Sequence, residues 1–201
     1  MPAAARDLSN PLPITQDKPT SIWYDDGMDE KKLLRQARKF DAGALATIHD
    51  FFYPAVYRYI RYRLGDSDTA EDLAAETFLR LLEALKKGEG PRKTVRGWLF
   101  GVANNLINQQ LRQYARKPLE ELPEHLAAED NPSHQVEKKM EMSRLQQAIL
   151  NLSPDQAHIL SLRFSAGYSI AETAQITGKS EEAVKALQFR AVKALRRQLD
   201  Q

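Results

Sequence analysis

The chain has 201 residues, a formal net charge of +2 at pH 7 and no cysteine. Its length suits one large domain or two small ones with modest cores, and the missing thiols exclude disulfides, thiolate metal sites and thiol catalysis. No apolar run approaches the roughly 20 residues of a membrane span, and the proline-broken N-terminus does not read as a secretory signal, so a cytoplasmic protein without membrane insertion is expected.

Residues 1–27 are rich in proline and polar side chains and lack sustained periodicity, which predicts a disordered arm. Within it Ile22, Trp23 and Tyr24 could dock on the protein's own surface or on a partner. From Met28 the pattern turns helical. Leu33, Leu34, Ala37 and Phe40 recur at three-to-four spacing, as do Leu45, Ile48, Phe52, Val56 and Ile60. Pro54 marks a place where the second helix can bend, and Gly65 ends it. Asp68 and Glu71 have the spacing of a capping box for a third helix running through Leu73, Phe78 and Leu85 to Gly88. A fourth helix is predicted from Thr94 or Val95 to about Arg116, stopped by Pro118.

Residues 118–135 hold Glu120, Glu121, Glu124, Glu129 and Asp130 among three prolines and contain no Lys or Arg. This composition predicts an acidic linker between a domain at 28–117 and a second at 136–201. Ser153-Pro154-Asp155-Gln156 is a strong helix start: a serine cap, proline in the first turn, and a glutamine to close the box. No useful strand-like alternation occurs. The expected fold is therefore all-α, two small helical domains joined by the linker.

Enzyme chemistry finds little support. His49, His125, His134 and His158 lie far apart, none with metal-ligand spacing to a carboxylate, and no P-loop, dinucleotide fingerprint or nucleophile elbow is present. Neither a catalytic residue, a metal nor a cofactor is expected. Three other segments carry more information.

In Asp66–Leu85, Asp72 and Glu76 share a helix face with Glu71 close by. Acidic groups at a helix start complement its dipole, which accounts for Glu71 and Asp72. Glu76 lies deeper, so a docking face for a basic partner is an equal reading. In Pro91–Lys117 an apolar stripe of Leu99, Val102, Ala103, Leu106 and Leu111 stands opposite Asn104, Asn105, Asn108, Gln109, Arg112, Gln113 and Arg116. Amide and guanidinium groups match base edges. Arg92, Lys93 and Arg96 suit phosphates, and Trp98 could stack on an unpaired base or sit in the core. In Ser169–Leu195, Ala174, Gly178 and Val184 fall where two crossing helices, a left-handed turn and a buried stripe need them. The second of these helices carries Lys185, Arg190, Lys193, Arg196 and Arg197, the pattern of a DNA-binding helix-turn-helix.

Together these segments resemble bacterial RNA polymerase sigma factors of the extracytoplasmic-function (ECF) type over about Met28–Leu199. AEDLAAETFLRLL is similar to the family's core-polymerase-binding helix, which implies polymerase contacts at Glu71, Asp72, Glu76, Phe78 and Leu79. WLFGVANNLINQQLRQ is similar to the helix that reads and melts the minus-10 element, implying DNA contacts at Lys93, Arg96, Trp98, Asn105, Asn108 and Arg112. The C-terminal segment resembles the minus-35-binding domain, with Lys179, Ser180, Glu181, Lys185, Gln188 and Arg190 as its candidates. The implied partners are core RNA polymerase, promoter DNA at both elements and an anti-sigma factor. The acidic linker would thread the polymerase's RNA path. Asn104, Gln109 and Leu187 depart from the family's usual residues and bear on promoter sequence. Two rival readings are a helix-turn-helix regulator with a sensor or dimerisation domain, and a helical adaptor with no DNA role.

Overall fold

The computed structural model describes residues 29–114 and 143–200, so the expected arm at 1–27 and linker at 118–135 lie outside the described residues. All regular structure among the described residues is helical. Four helices form the N-terminal half: α1 (Glu30–Ala37), α2 (Ala42–Leu64), α3 (Ser67–Lys86) and α4 (Val95–Tyr114). Their boundaries follow local chemistry. Asp29, Asp41 and Asp66 each cap the helix that follows, accepting the backbone N–H groups of Lys32, Ala44 and Thr69. Gly65 ends α2 at φ 79°, a left-handed turn that glycine adopts without a Cβ clash.

That turn is too short for the expected capping box. With Gly65 reversing the chain, Asp66 is already the cap, which leaves Asp68 inside the first turn of α3. The bond from Thr69 holds the Asp66 carboxyl below its ordinary pKa, and partial burial opposes this. Pro54 lies inside α2, which stays helical to Leu64.

In the C-terminal half residues 143–150 are helical (α5). α6 (Pro154–Leu160) starts with the expected Ser153–Gln156 box and runs on into a π-helical turn at Ser161–Ser165. α7 (Ile170–Thr177) has its own box, Ser169–Glu172, and ends at Gly178 with φ 68°. α8 (Glu181–Leu199) follows, capped by Ser180. Ala174 and Val184 pack with Ile159 where α6, α7 and α8 cross, as the helix-turn-helix spacing requires.

The main core gathers α1–α4 around Ile48, Phe52, Val56, Ile60, Leu99 and Phe100. It does not stop at α4. Leu162, Ala166 and Tyr168, from the π-turn and the loop after it, belong to the same buried cluster, and Tyr168 meets Phe100 edge-on at 5.2 Å. The C-terminal half is thus seated on α2 and α4 through apolar contact.

Candidate polymerase and nucleic-acid surfaces

On α3 the acidic face forms as the periodicity requires. Glu71 and Asp72 are exposed, and Glu76 is partly exposed, with its Oε1 accepting from Arg80 Nε at 2.7 Å. Leu79 continues the stripe at 51% exposure, and Leu82, one turn further, adds 40%. Phe78 does not belong to this face. It shares the inner stripe with Ala74, Leu81 and Leu85 and packs against the His49 ring at 5.0 Å and the Tyr53 ring at 5.8 Å. Leu82 was readable as its replacement, because it lies three residues after Leu79 on the same side.

The residues expected to meet the minus-10 strand divide into two groups. Lys93, Asn105 and Arg112 are exposed. Arg96, Trp98 and Asn108 are held within the protein. The Arg96 guanidinium lies between Glu30 at 3.9 Å and Glu172 at 3.7 Å and over the Tyr168 ring at 5.4 Å. Trp98 is half-buried against the main core, the core alternative at that position. Asn108 Oδ1 accepts from Arg63 Nη2 at 3.3 Å.

Arg63 was not anticipated as a site residue. It is 2% exposed at the end of α2 and donates to Asn104 Oδ1 (3.1 Å) as well as to Asn108. Among the described residues no carboxylate pairs with it; its partners are neutral. The network extends through the buried Tyr59 hydroxyl, 3.3 Å from Asn104 Oδ1 and 2.6 Å from His158 Nδ1 on α6. Burial pushes the Tyr59 phenol up, against the pull of Arg63. Burial first, and then the Arg63 charge, push His158 down to about 4, with Asp155 opposing and Lys179 adding to the shift. His158 is therefore neutral at physiological pH. Beside this network a cavity of about 360 Å³ opens between Arg63, Asn108 and Arg112 on one side and Ile149, Leu152 and Pro154 on the other.

This burial predicts a pH dependence. Unfolding frees His158 to bind a proton near its ordinary value of 6.5, whereas the folded chain resists protonation until about 4. The unfolded state therefore holds more protons in that window, and stability falls as pH drops from 6.5 toward 4. Urea midpoints at pH 7.5 and 5.0 should differ more for the wild type than for His158→Gln, which keeps a polar partner for Tyr59 without titrating. Equal differences would show that His158 contributes nothing to the pH response.

The helix-turn-helix brings most of its expected residues to the surface. Lys185 and Arg190 are exposed along α8, with Glu181 at its start. Ser180 Oγ is occupied in capping, accepting from Ala183 N, and Lys179 pairs with Asp155 at 3.0 Å. Gln188 is only partly exposed. It falls four residues after Val184, on the inner stripe, and accepts from Arg163 Nε at 3.0 Å, while Arg163 also donates to the Tyr168 carbonyl. The side chain that periodicity turns outward is Phe189, 70% exposed, one turn beyond Lys185 and one turn before Lys193. Its placement opposite Val184 and Ala191, both fully buried, was the signal in the sequence.

No helix among the described residues is long and apolar enough to cross a membrane. Residues 50–117, covering most of α2 with α3 and α4, match the Sigma-70 region 2 family, and residues 148–197 match the Sigma-70, region 4 family. The chain is 37% identical over 172 residues to the ECF RNA polymerase sigma factor BldN of Streptomyces coelicolor; this covers 84% of the chain and spans 65% of BldN's length. In fold it resembles CnrH, solved in complex with the cytosolic domain of CnrY (TM-score 0.61, 21% identity, 85% of this chain and 97% of CnrH). It also resembles the sigma factor RpoE, solved with the anti-sigma factor NepR from Bartonella quintana (TM-score 0.52, 22% identity, 81% of this chain and 98% of RpoE). An acidic leucine-bearing helix, an amide-rich helix and a cationic helix-turn-helix, in this order within those two matched regions, place the chain in the sigma-70 family as an ECF sigma factor.

Proposed function

We propose that this protein binds core RNA polymerase in the cytoplasm and directs it to a subset of promoters, by recognition and strand capture without covalent chemistry. The observation that carries this reading is the pairing, on one chain, of an exposed acid-and-leucine face on α3 with an exposed cationic face on α8. The α3 face, Asp72, Glu76, Leu79 and Leu82, serves the polymerase. α8 serves duplex minus-35 DNA. The exposed side of α4, with Asn105 and Arg112, and Lys93 in the loop before it serve the separated minus-10 strand. An anti-sigma factor is a further proposed partner. Co-purification with core polymerase, followed by run-off transcription on genomic fragments, tests the reading. A regulator with a sensor domain, the rival, would fail at the first step.

Within α8 the reading assigns specificity to Phe189. Lys185, Arg190 and Lys193 supply phosphate-seeking charge around it, and an exposed ring amid that charge suits the 5-methyl group of thymine, the apolar mark of the major groove. Phe189→Ala is expected to weaken holoenzyme binding to a minus-35 duplex about four- to fifteenfold, the scale of one or two buried methyl groups. Deoxyuridine substituted for thymine one position at a time should weaken the wild type at one position, and Phe189→Ala should be indifferent there. A wild type indifferent to every substitution removes this role from Phe189.

A further inference from the structure

Among the described residues the backbone turns left-handed at Gly65, Gly88, Gly167 and Gly178, and at one residue that is not glycine, Phe40, with φ 57° between α1 and α2. There the chain closes α1 by a turn that glycine ordinarily completes. The Asp41 N–H reaches back to the Gln36 carbonyl at 3.3 Å, and the Phe40 N–H donates to the Ala37 carbonyl at 2.9 Å. In this conformation a Cβ crowds the adjoining backbone, so a bulky residue costs stability that glycine would not. Burial offsets that cost only in part, since Phe40 is 45% exposed. Strain of this kind collects at sites that bind, and a ring standing in water gains most from a partner.

The surroundings of Phe40 indicate which partner. Arg38 Nη2 donates to the Pro91 carbonyl at 2.7 Å, and the Arg96 N–H donates to Glu30 Oε1 at 2.9 Å. These bonds fasten the two ends of α1 to the loop before α4 and to the first turn of α4, which sets the Phe40 turn next to the loop of Arg92 and Lys93. Arg35, Lys39, Arg92 and Lys93 are all exposed. Two nearby carboxylates are engaged within the fold, Asp41 as the cap of α2 and Glu30 facing Arg96. Glu89 stays exposed in the loop and offsets one of the cations. An exposed ring amid cations is the combination that holds single-stranded nucleic acid, with charge for the phosphates and a π-face for a base. We propose that Phe40 stacks on an unpaired base of the strand held by Lys93 and α4, so that the α1–α2 turn extends the strand-binding surface beyond α4. The inference rests on the minus-10 reading made above. Every base presents a π-face, so this contact holds the strand open without selecting its sequence.

Phe40→Gly and Phe40→Trp separate the ring from the fold. Glycine relieves the left-handed strain, so the isolated Phe40→Gly protein should unfold at an equal or higher urea concentration than the wild type. Loaded on core polymerase, it should bind the non-template minus-10 strand of a promoter recovered by run-off transcription at least about fivefold more weakly, the scale of one lost base–aromatic stack. The strand is then made with 2-aminopurine at one position at a time, a base whose fluorescence stacking quenches. Wild-type holoenzyme should quench it at a position that Phe40→Gly leaves bright, and Phe40→Trp should quench it there again. Capture of core polymerase should be the same for all three proteins. Unchanged strand affinity and quenching in Phe40→Gly would overturn the assignment, as would a lower urea midpoint, the mark of a ring kept for packing. Weaker capture of polymerase would overturn it too and make Phe40 a polymerase contact. If Lys93→Ala weakens strand binding and Phe40→Gly does not, the minus-10 reading stands and the role of Phe40 alone falls. A wild-type holoenzyme that holds no strand brings down both.

Discussion

Reversing Asp72 and Glu76 to lysine should reduce capture of core RNA polymerase by at least about tenfold, roughly 1.4 kcal/mol of binding, while the isolated protein stays folded. Asp72 is exposed and makes no hydrogen bond or ion pair among the described residues, so its reversal leaves the core intact. Glu76 is bonded to Arg80 one turn later, and reversal places Lys beside Arg at that spacing. The internal cost of such a pair is only about 0.2–0.5 kcal/mol, too little to unfold the helix. At a docking surface the same reversals place like charges opposite a basic partner, which costs far more than a rim contact contributes. Leu79→Ala should act with them, because half of that side chain stands in water. Pull-down against purified core polymerase, with circular dichroism as the fold control, reads both halves of the expectation. Unchanged capture with an intact fold would move the docking site off α3.

The second large effect is expected at promoter opening. Lys93→Ala with Arg112→Ala should suppress permanganate reactivity of promoter thymines on duplex templates about tenfold or more, and a pre-melted bubble should restore part of the signal. Both side chains are exposed, so their loss is expected to spare stability. Each one that neutralises a phosphate on the separated strand adds about 0.7 to the salt slope, so the double variant should also respond less to added salt. Arg96 is left in place because its ion pairs with Glu30 and Glu172 would confound the result with a change in packing. Normal opening by the double variant would leave this side of α4 with no part in melting.

The local features of this fold were legible in the chain because their causes are local. Ser153–Gln156 reads as a capping box in sequence and forms one, since both groups lie within a single turn of backbone. Gly65 and Gly178 mark left-handed ends because no other residue adopts that conformation as cheaply. The helix-turn-helix followed from three small or apolar residues at fixed offsets. Even the misplaced cap of α3 was off by only two residues, set by the length of one turn.

What the sequence could not decide was which half of each amphipathic helix another element would cover. Phe78 and Leu79 are neighbours of equal hydrophobicity, and only the presence of α2 makes one core and the other surface. Gln188 is turned toward the inner side of α8 for the same reason, because the π-turn after α6 presents Arg163 there. The joining of Tyr59, Arg63, Asn104 and Asn108 to His158 depends on two segments about 100 positions apart meeting in space. No periodicity encodes such a meeting. The chain thus determined by itself where its helices start and stop and which chemistry they carry, whereas tertiary packing alone decided which of those groups remain free to act, because burial and pairing depend on elements distant in sequence.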